Sequence, residues 1–290
     1  MDMSVGQLVA AATRQLAHSD TARLDAEILL AHALDITRSQ ILARPERIAD
    51  TSRQALFAGL INRRAAGEPV AYLLGEQEFW SLTLKVTPAV LVPRPETEML
   101  VELCLSLDCD PDPDPDPERV MRVADLGTGS GAIALALASE RPAWQVVATD
   151  MSEQALIVAG QNAGRLGLDR VRFLAGSWCN ALSAEQKFNV IVSNPPYIDP
   201  LDPHLANGSL RFEPVHALAA ADKGLADISL IARQAPAYLV PGGWLMLEHG
   251  HDQGEQVRQI LQVNGFEKVS TRQDLAGLDR VTLGRNVDHE

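Results

Sequence analysis

The second half of the chain alternates between short apolar runs and longer helical stretches, and this alternation most restricts how it can fold. The apolar runs predict β-strands at residues 120–126, 144–149, 171–175, 188–193 and 243–248. Each run is followed by a helix or a long connection, which is how parallel strands are joined. The pattern therefore predicts an α/β fold with a doubly wound, Rossmann-like sheet and helices on both faces.

The last two β-rich runs break this alternation. Residues 266–274 and 279–286 are separated only by residues 275–278, and no crossover helix fits between them. We therefore expect these two strands to pair antiparallel, so that a sheet of seven strands ends in an antiparallel hairpin. A simple dinucleotide-binding sheet does not require such a hairpin.

Residues 1–75 follow a helical pattern, because their apolar residues recur three and four positions apart. Ser4 and Thr21 are suitable N-caps, and Gly67 can end the last of these helices. We expect a small helical bundle without a catalytic cluster. Such a bundle either docks a partner or only stabilises the rest of the chain.

A β-rich segment, FWSLTLKVTPAVLVPRPETEML, connects the bundle to the sheet. Its two runs flank Thr87 and Pro88, which predicts a β-hairpin that turns at these residues. A helix should follow, with Glu96 and Glu98 in its first turn, where the helix dipole favours acids. The predicted organisation is a helical domain at 1–75, a hairpin linker at 76–95 and a larger α/β domain at 96–290.

The net charge of −13 argues against unassisted binding to nucleic acid, whose phosphates would be repelled. The acids are unevenly placed: residues 1–75 hold eight Asp or Glu and eight Arg, whereas Asp108–Glu118 alone holds six acids. Alternate residues of that Asp-Pro repeat lack an N–H, so it cannot continue a helix or join a sheet ladder. We expect it to be a solvated loop and assign it no function.

The hydrophobic fraction of 46% is typical of a globular chain, and no apolar stretch reaches the roughly 18 residues of a membrane span. The first residues lack the basic region of a signal peptide, so we expect a cytoplasmic protein without membrane contact. We also expect the protein to be a monomer. Cys104, Cys109 and Cys179 form no CxxC pair and are expected to be reduced.

The stretch VADLGTGSGAIALALA predicts a strand, a glycine-rich turn and a helix. The glycines in Gly127–Gly131 let the backbone turn tightly and approach a ligand closely. Asp150 closes the next strand, nineteen residues after Gly131, where its carboxylate can accept hydrogen bonds from both ribose hydroxyls. Gly127, Gly129 and Ala132 also match the GxGxxG/A fingerprint of NAD-binding enzymes. The loop on its own therefore does not separate a dehydrogenase from a methyltransferase. Asp125 favours a ligand with a positive amino-acid end over a pyrophosphate.

The stretch VIVSNPPYID decides between these two classes. Asn194 precedes a proline and is therefore extended, while Pro195 and Pro196 have fixed φ and no N–H. The Asn194 side-chain oxygen and the Pro195 carbonyl are two acceptors suited to the two N–H bonds of a planar –NH₂ group. Tyr197 offers a flat face to the group that carries this nitrogen. A dehydrogenase would have no use for such a cradle.

A cradle of this kind orients the lone pair of a weakly nucleophilic nitrogen, such as a carboxamide or an exocyclic base amine, toward a methyl donor. The sulfonium of S-adenosylmethionine loses its charge during transfer, so a water-poor, preorganised site helps. No strong base is required, because the methylated nitrogen is acidic enough to release a proton to water. His249 and His251 lack further ligands nearby, and we expect no metal.

Several motifs together resemble those of the PrmC (HemK) methyltransferases: EPVAYLLGEQEFW, LVPRPETE, DLGTGSGAIALALASERP, VSNPPYIDPLDPHL, RFEP, LEHG and RVTLG. The resemblance covers nearly the whole chain, and the Asp-Pro repeat is the main departure. It implies methyl transfer from S-adenosyl-L-methionine, with S-adenosyl-L-homocysteine as product, to the glutamine amide of the Gly-Gly-Gln motif in peptide chain release factors. Such a modification modulates translation termination. The helical domain would then dock the release factor.

The resemblance also implies roles for individual residues. The cofactor would be held by Asp125, Gly127, Thr128, Gly129, Ser130, Gly131, Asp150, Trp178 and Asn194. Trp178 would lie near the adenine. The substrate would be received by Asn194, Pro195, Pro196, Tyr197, Arg94, Glu98 and Glu213, with Asn194, Pro195 and Tyr197 as the catalytic residues. Arg94, Glu98 and Glu213 could equally belong to surface or interdomain ion pairs.

The alternative is an adenine-specific DNA or RNA methyltransferase, which uses the same Asn-Pro-Pro-aromatic arrangement. Such an enzyme should carry a basic surface, whereas this chain is strongly acidic and its helical domain is neutral. A binding module without catalysis would have no reason to keep Asp150 together with Asn194. We therefore expect release factors as partners and no direct contact with nucleic acid.

Overall fold

The structure, a computed structural model, describes residues 3–107 and 120–287. The chain divides into two compact units, one of Met1–Glu76 with Ala206–Phe212, the other of Gln77–Leu205 with Glu213–Glu290. The Asp-Pro repeat Asp108–Glu118 and Cys109 lie outside the described residues, so the prediction of a solvated loop stays a prediction.

The first unit is helical. Its helices are α1 (Val5–Gln15), α2 (Ala22–Leu34), α3 (Arg38–Ala43), α4 (Thr51–Ala65) and α5 (Val70–Leu74). Ser4 caps α1 through a capping box with Gln7, as its position predicts. Thr21 precedes α2 but makes no cap, because its hydroxyl donates to Asp25. Apolar residues of all five helices form a single buried cluster. The segment Ala206–Phe212 belongs to the same unit, and its Arg211 donates to the Ala66 carbonyl.

The β-hairpin consists of β1 (Glu76–Phe79) and β2 (Leu82–Lys85). Its turn is formed by Trp80 and Ser81, with φ of 51° and 60°, as a two-residue hairpin turn requires. The prediction that the chain turns at Thr87 and Pro88 is wrong, because those residues form a separate turn after β2. Packing decides the register, since Phe79 and Leu84 are both buried in the core.

Among the residues that the structure describes, the sheet has seven strands: β3 (Arg122–Leu126), β4 (Gln145–Asp150), β5 (Arg172–Ala175), β6 (Phe188–Ser193), β7 (Leu239–Glu248), β8 (Phe266–Gln273) and β9 (Asp279–Asn286). Their order is β5-β4-β3-β6-β7-β9-β8. Strands β3 to β7 pair in parallel, and β9 is antiparallel to both β7 and β8. The predicted fold class, with its terminal antiparallel hairpin, is confirmed.

Helices cover both faces of the sheet, namely α6 (Glu98–Ser106), α7 (Ala132–Glu140), α8 (Glu153–Leu166), α9 (Ala226–Gln234) and α10 (Gly254–Val263). Successive residues of a strand point to opposite faces, so Val190 and Val192 pack with α6 and α7, while Ile191 packs with α9 and α10. The strand order reverses between β3 and β6, which leaves a crevice at the carboxyl ends of these two strands. Across the described ranges, no helix has the length and apolar character of a membrane span.

Ile191 tests this account of the core, because it is fully buried in β6. Ile191→Ala should lower the free energy of unfolding by about 2–5 kcal/mol, through lost burial and a residual cavity. The control Val263→Ala, at a side chain that is 87% exposed, should change it by less than about 0.5 kcal/mol. Urea unfolding followed by circular dichroism measures both, and equal effects would contradict the core assignment.

Candidate active site

A cavity of about 250 Å³ lies at the carboxyl ends of the parallel strands. Its walls include the ends of β3, β4 and β6, the loop after β5 and the start of α9. Predicted site residues that line it are Gly127, Gly129, Asp150, Trp178, Asn194 and Pro196. Two separate sequence motifs, the glycine loop and the Asn-Pro-Pro-Tyr turn, therefore meet in one place.

The glycine loop follows β3 directly and needs glycine for its backbone. Gly127, Gly129 and Gly131 have φ of 73°, 56° and 87°, a region that other residues enter only with strain. A Cβ on Gly127 would lie 3.0 Å from the Trp178 ring, whereas a Cβ on Gly129 would meet nothing within 4 Å. The loop thus leaves open space in front of Gly129 for a ligand that approaches the backbone closely.

Asp150 ends β4 and lies on the cavity wall. Its Oδ2 accepts a hydrogen bond from the Gly129 N–H at 2.9 Å, and its Oδ1 accepts one from the Ser152 N–H at 2.8 Å. These bonds fix the carboxylate against the glycine loop. Each oxygen keeps further acceptor capacity, which suits a ligand with neighbouring hydroxyl groups.

Asp125 lies behind the glycine loop and is fully buried. Its Oδ2 accepts from the Thr128 hydroxyl at 2.6 Å and from the Ala134 N–H at 3.2 Å, so it ties the loop to α7. Its Oδ1 has no hydrogen-bond partner among the described residues. Burial raises the pKa of Asp125 to about 7, and the charge of Asp150 adds to this rise. Asp125 does not line the cavity, so its contact with a ligand stays a prediction.

Trp178 follows β5 with a φ of 50° and presents its ring to Gly127. Its Nε1 donates to the Asp227 carboxylate in α9 at 3.1 Å. Burial raises the pKa of Asp227, while this hydrogen bond lowers it. Asp227 also lines the cavity, and no sequence signal marked it as a candidate.

The Asn-Pro-Pro-Tyr turn follows β6. The Asn194 Nδ2 donates to the Thr97 hydroxyl oxygen at 3.0 Å. Pro195 and Pro196 are buried, and the Tyr197 hydroxyl donates to the Glu248 carboxylate at 3.3 Å. Burial raises the pKa of Tyr197, so the phenol stays protonated.

Of the three charged residues predicted for the substrate pocket, two pair with each other and the third lies elsewhere. Arg94 pairs with Glu213 at 2.5 Å, and the other Glu213 oxygen accepts from the Val92 N–H at 3.0 Å. Glu98 instead accepts from the Trp80 N–H at the hairpin turn, at 2.7 Å. None of the three lines the cavity, so their roles toward a substrate stay predictions.

Of the two histidines of the EHGH motif, His249 is buried and His251 is exposed. His249 is buried and contacts the Gly250 carbonyl and the Thr282 hydroxyl, both at 2.8 Å. Within residues 3–107 and 120–287, no group of three His, Cys, Asp or Glu side chains is arranged to hold a metal ion.

Asn162 in α8 is a structural residue that sequence reasoning missed. Its Oδ1 accepts from the Lys85 N–H at 2.7 Å, and its Nδ2 donates to the carbonyls of Lys85 and Ser130 at 3.0 and 2.9 Å. A single buried amide therefore holds both the end of β2 and the glycine loop. A polar residue on the otherwise apolar face of a helix was the available signal.

This fold, with the glycine loop and the Asn-Pro-Pro-Tyr turn meeting at its switch point, defines a Rossmann-like methyltransferase. The family model of a methyltransferase domain matches residues 117–278, and that of the PrmC N-terminal domain matches residues 7–75. The chain belongs to the release factor glutamine methyltransferase family.

Relatives with that name match almost end to end. The Vibrio cholerae protein is 50% identical over 287 residues, which is 98% of each chain. The Pseudomonas aeruginosa protein is 50% identical over 271 residues, or 93% of this chain and 95% of its own. The predicted family is therefore confirmed.

Solved structures support the fold alone. A methyltransferase from Pyrococcus furiosus has a TM-score of 0.51 at 18% identity, covering 78% of this chain and 99% of its own. The 16S rRNA methyltransferase RsmC of Thermus thermophilus, solved with AdoMet and guanosine, has a TM-score of 0.52 at 20% identity, covering 73% and 49%.

Asn162→Ala should lower the free energy of unfolding by about 3 kcal/mol, because it leaves buried backbone groups of Lys85 and Ser130 without partners. The control is Asn180→Ala, which removes one exposed side-chain contact with Gln234 and should change stability by less than about 0.5 kcal/mol. Thermal or urea unfolding compares the two. Similar values for both variants would contradict the role of Asn162 as a buried link.

Proposed function

We propose that this chain transfers a methyl group from S-adenosylmethionine to the side-chain amide nitrogen of the glutamine in the Gly-Gly-Gln motif of peptide chain release factors. Family membership supports the substrate class, since near full-length relatives carry the name release factor glutamine methyltransferase. The observation that carries the chemistry is the oriented amide of Asn194 at the cavity, directly after β6.

The residues around the cavity fit S-adenosylmethionine. The space in front of Gly129 is the cradle that a Cβ would fill, and Asp150 supplies two fixed acceptors suited to the ribose hydroxyls. The Trp178 ring offers a flat surface for the adenine. When bound, this cofactor supplies an electrophilic methyl group on a positively charged sulfur.

The chain's own contribution is to bind and orient the nucleophile. The Asn194 side-chain oxygen and the Pro195 carbonyl accept the two N–H bonds of the substrate amide, which directs the nitrogen lone pair at the methyl group. The two prolines fix the backbone, so the acceptors are positioned before substrate arrives, and proximity supplies much of the rate. The buried turn excludes water, and Tyr197 covers the flat face of the amide. The methylated nitrogen then releases its proton to water.

We propose that the helical unit docks the release factor, because residues 7–75 match the PrmC N-terminal domain. Because release factors work where proteins are made, we also propose that the enzyme acts in the cytoplasm. A protein partner also agrees with the net charge of −13, which disfavours direct contact with nucleic acid.

The direct test is transfer of label from S-adenosylmethionine to a purified release factor. The matched controls are the same release factor with its Gly-Gly-Gln glutamine changed to alanine, and a DNA duplex. Label on the intact release factor alone supports the proposal. Label on the duplex would instead indicate the adenine enzyme.

Asn194→Ala should reduce methyl transfer at least about 100-fold, because one of the two fixed acceptors is lost. The affinity for S-adenosylmethionine, measured by calorimetry, should stay largely intact. Asn189→Ala is the matched control at the other end of β6, where the Asn189 side chain accepts from the Arg122 N–H. Full activity of Asn194→Ala would rule out the amide cradle.

Gly129→Ala should weaken S-adenosylmethionine binding about tenfold or more, because the new Cβ enters the cavity and the backbone has a φ of 56°. The control is Gly160→Ala in α8, where a Cβ meets nothing within 4 Å. That variant should raise the free energy of unfolding by about 0.5–1 kcal/mol and leave the affinity unchanged. Unchanged binding by Gly129→Ala would contradict the cofactor position.

A further inference from the structure

The Asn-Pro-Pro-Tyr turn is hydrogen-bonded to the buried carboxyl group of Glu248, which has no role in the proposed methyl transfer. Glu248 ends β7 and is only 1% exposed. Its Oε1 accepts the Tyr197 hydroxyl at 3.3 Å, and the Thr97 side chain lies beside the same carboxylate, whose pKa its hydroxyl lowers. Its Oε2 is buried without a hydrogen-bond partner among the described residues.

Thr97 connects this carboxylate to Asn194. The Thr97 oxygen accepts from the Asn194 Nδ2 at 3.0 Å, so its own hydroxyl proton is left to donate. The acceptor beside it is Glu248. Asn194 therefore donates to Thr97 at 3.0 Å and Tyr197 donates to Glu248 at 3.3 Å, while the Thr97 hydroxyl lowers the pKa of the same Glu248 carboxylate.

An ionised carboxylate only accepts hydrogen bonds, whereas a protonated one can also donate. An acceptor at the end of the chain makes Thr97 donate to it and accept from Asn194. The amide of Asn194 must then present its nitrogen to Thr97 and its oxygen to the cavity. A protonated Glu248 could donate to Thr97 instead, and the amide would lose its preference for this orientation.

We propose that the ionised carboxylate of Glu248 is a positioning residue for methyl transfer: through Thr97 and Tyr197 it holds the Asn194 oxygen toward the substrate nitrogen. This inference rests on the proposed function and adds a residue that acts on Asn194 through its neighbours and does not contact the substrate.

The charges around Glu248 decide when it is ionised. Burial has the largest effect and raises the pKa of Glu248 to about 7, and the charge of Glu96 also raises it. The Thr97 hydroxyl, the charge of Arg280 on β9 and the Tyr197 hydroxyl lower this pKa. Arg280 also pairs with Asp274 at 3.1 Å. The charge of Arg94 lowers the pKa of the neighbouring Tyr197. His249 contacts the Thr282 hydroxyl, and burial lowers the pKa of this histidine.

Because the ionised form is the one that orients Asn194, the rate of methyl transfer should fall as the pH drops through about 7 and Glu248 takes up a proton. Glu248→Gln keeps the shape of the side chain, but its amide both accepts and donates hydrogen bonds, whereas the ionised carboxylate only accepts them. It should lower kcat about 10- to 100-fold with little change in KM for the release factor, and its rate should no longer depend on pH in this range.

Thr97 provides the second pair of variants. Thr97→Val removes the connecting hydroxyl at nearly constant shape and should lower kcat as Glu248→Gln does. Thr97→Ser keeps the hydroxyl and should restore most of the rate. Glu255→Gln, an exposed acid at the start of α10, is the surface control and should retain the wild-type rate and pH profile. Thermal unfolding and calorimetry with S-adenosylmethionine confirm that each variant is folded and binds the cofactor.

A measurement independent of activity completes the test. In the full chain labelled with ¹³C-glutamate, the carboxyl signal that is missing from Glu248→Gln should titrate near pH 7. Two results would overturn this inference and leave the proposed function standing. One is a Glu248 signal that titrates at the pKa of an exposed glutamate. The other is a Glu248→Gln variant with the same rate and pH profile as an active wild type. A wild type that methylates no release factor at any pH would overturn the proposed function, and this inference with it.

Discussion

The pairing of β3 with β6 is the constraint on which the site depends. These strands lie side by side in parallel although β4 and β5 come between them in the chain, and Leu126 is in register with Ser193. The Ser193 hydroxyl also donates to the Leu126 carbonyl at 2.6 Å, which locks the two strand ends together. Gly127 and Asn194 are the residues that directly follow these two strands. Their side-by-side position is therefore a product of the sheet, and the loops only supply the chemistry.

Residues at strand ends were predictable from sequence, because parallel strands bring their carboxyl ends to one edge of a sheet. Asp150 and Asn194 can be assigned to one site on this ground, because each stands at the end of a predicted strand. The same reasoning could not assign Thr97, Asn162 and Glu248, because the contacts that define their roles span 97, 77 and 51 residues of sequence. Local sequence patterns do not predict contacts between residues so far apart in the chain. An acid at the end of an apolar strand, as at Glu248, can nevertheless indicate a buried functional carboxylate.

The hairpin shows how packing overrides local preference. Thr87 and Pro88 are typical turn residues, whereas Trp80 and Ser81 are poor ones for a turn with positive φ. The chain nevertheless turns at Trp80 and Ser81, because this register buries Phe79 and Leu84 together. The Glu98 carboxylate also supports the turn by accepting from the Trp80 N–H. Glu98, which the sequence predicts at the substrate pocket, thus stabilises a backbone turn with positive φ.

The helical unit is completed by Ala206–Phe212, a segment encoded more than a hundred residues after its helices. The chain leaves the catalytic unit shortly after the Asn-Pro-Pro-Tyr turn, contributes Arg211 and Phe212 to the helical unit, and returns at Glu213. A cut between Glu76 and Gln77 therefore does not yield two self-sufficient pieces. During synthesis, the helices emerge long before the segment that completes their unit, so this unit reaches its final form only when translation has passed the catalytic motif.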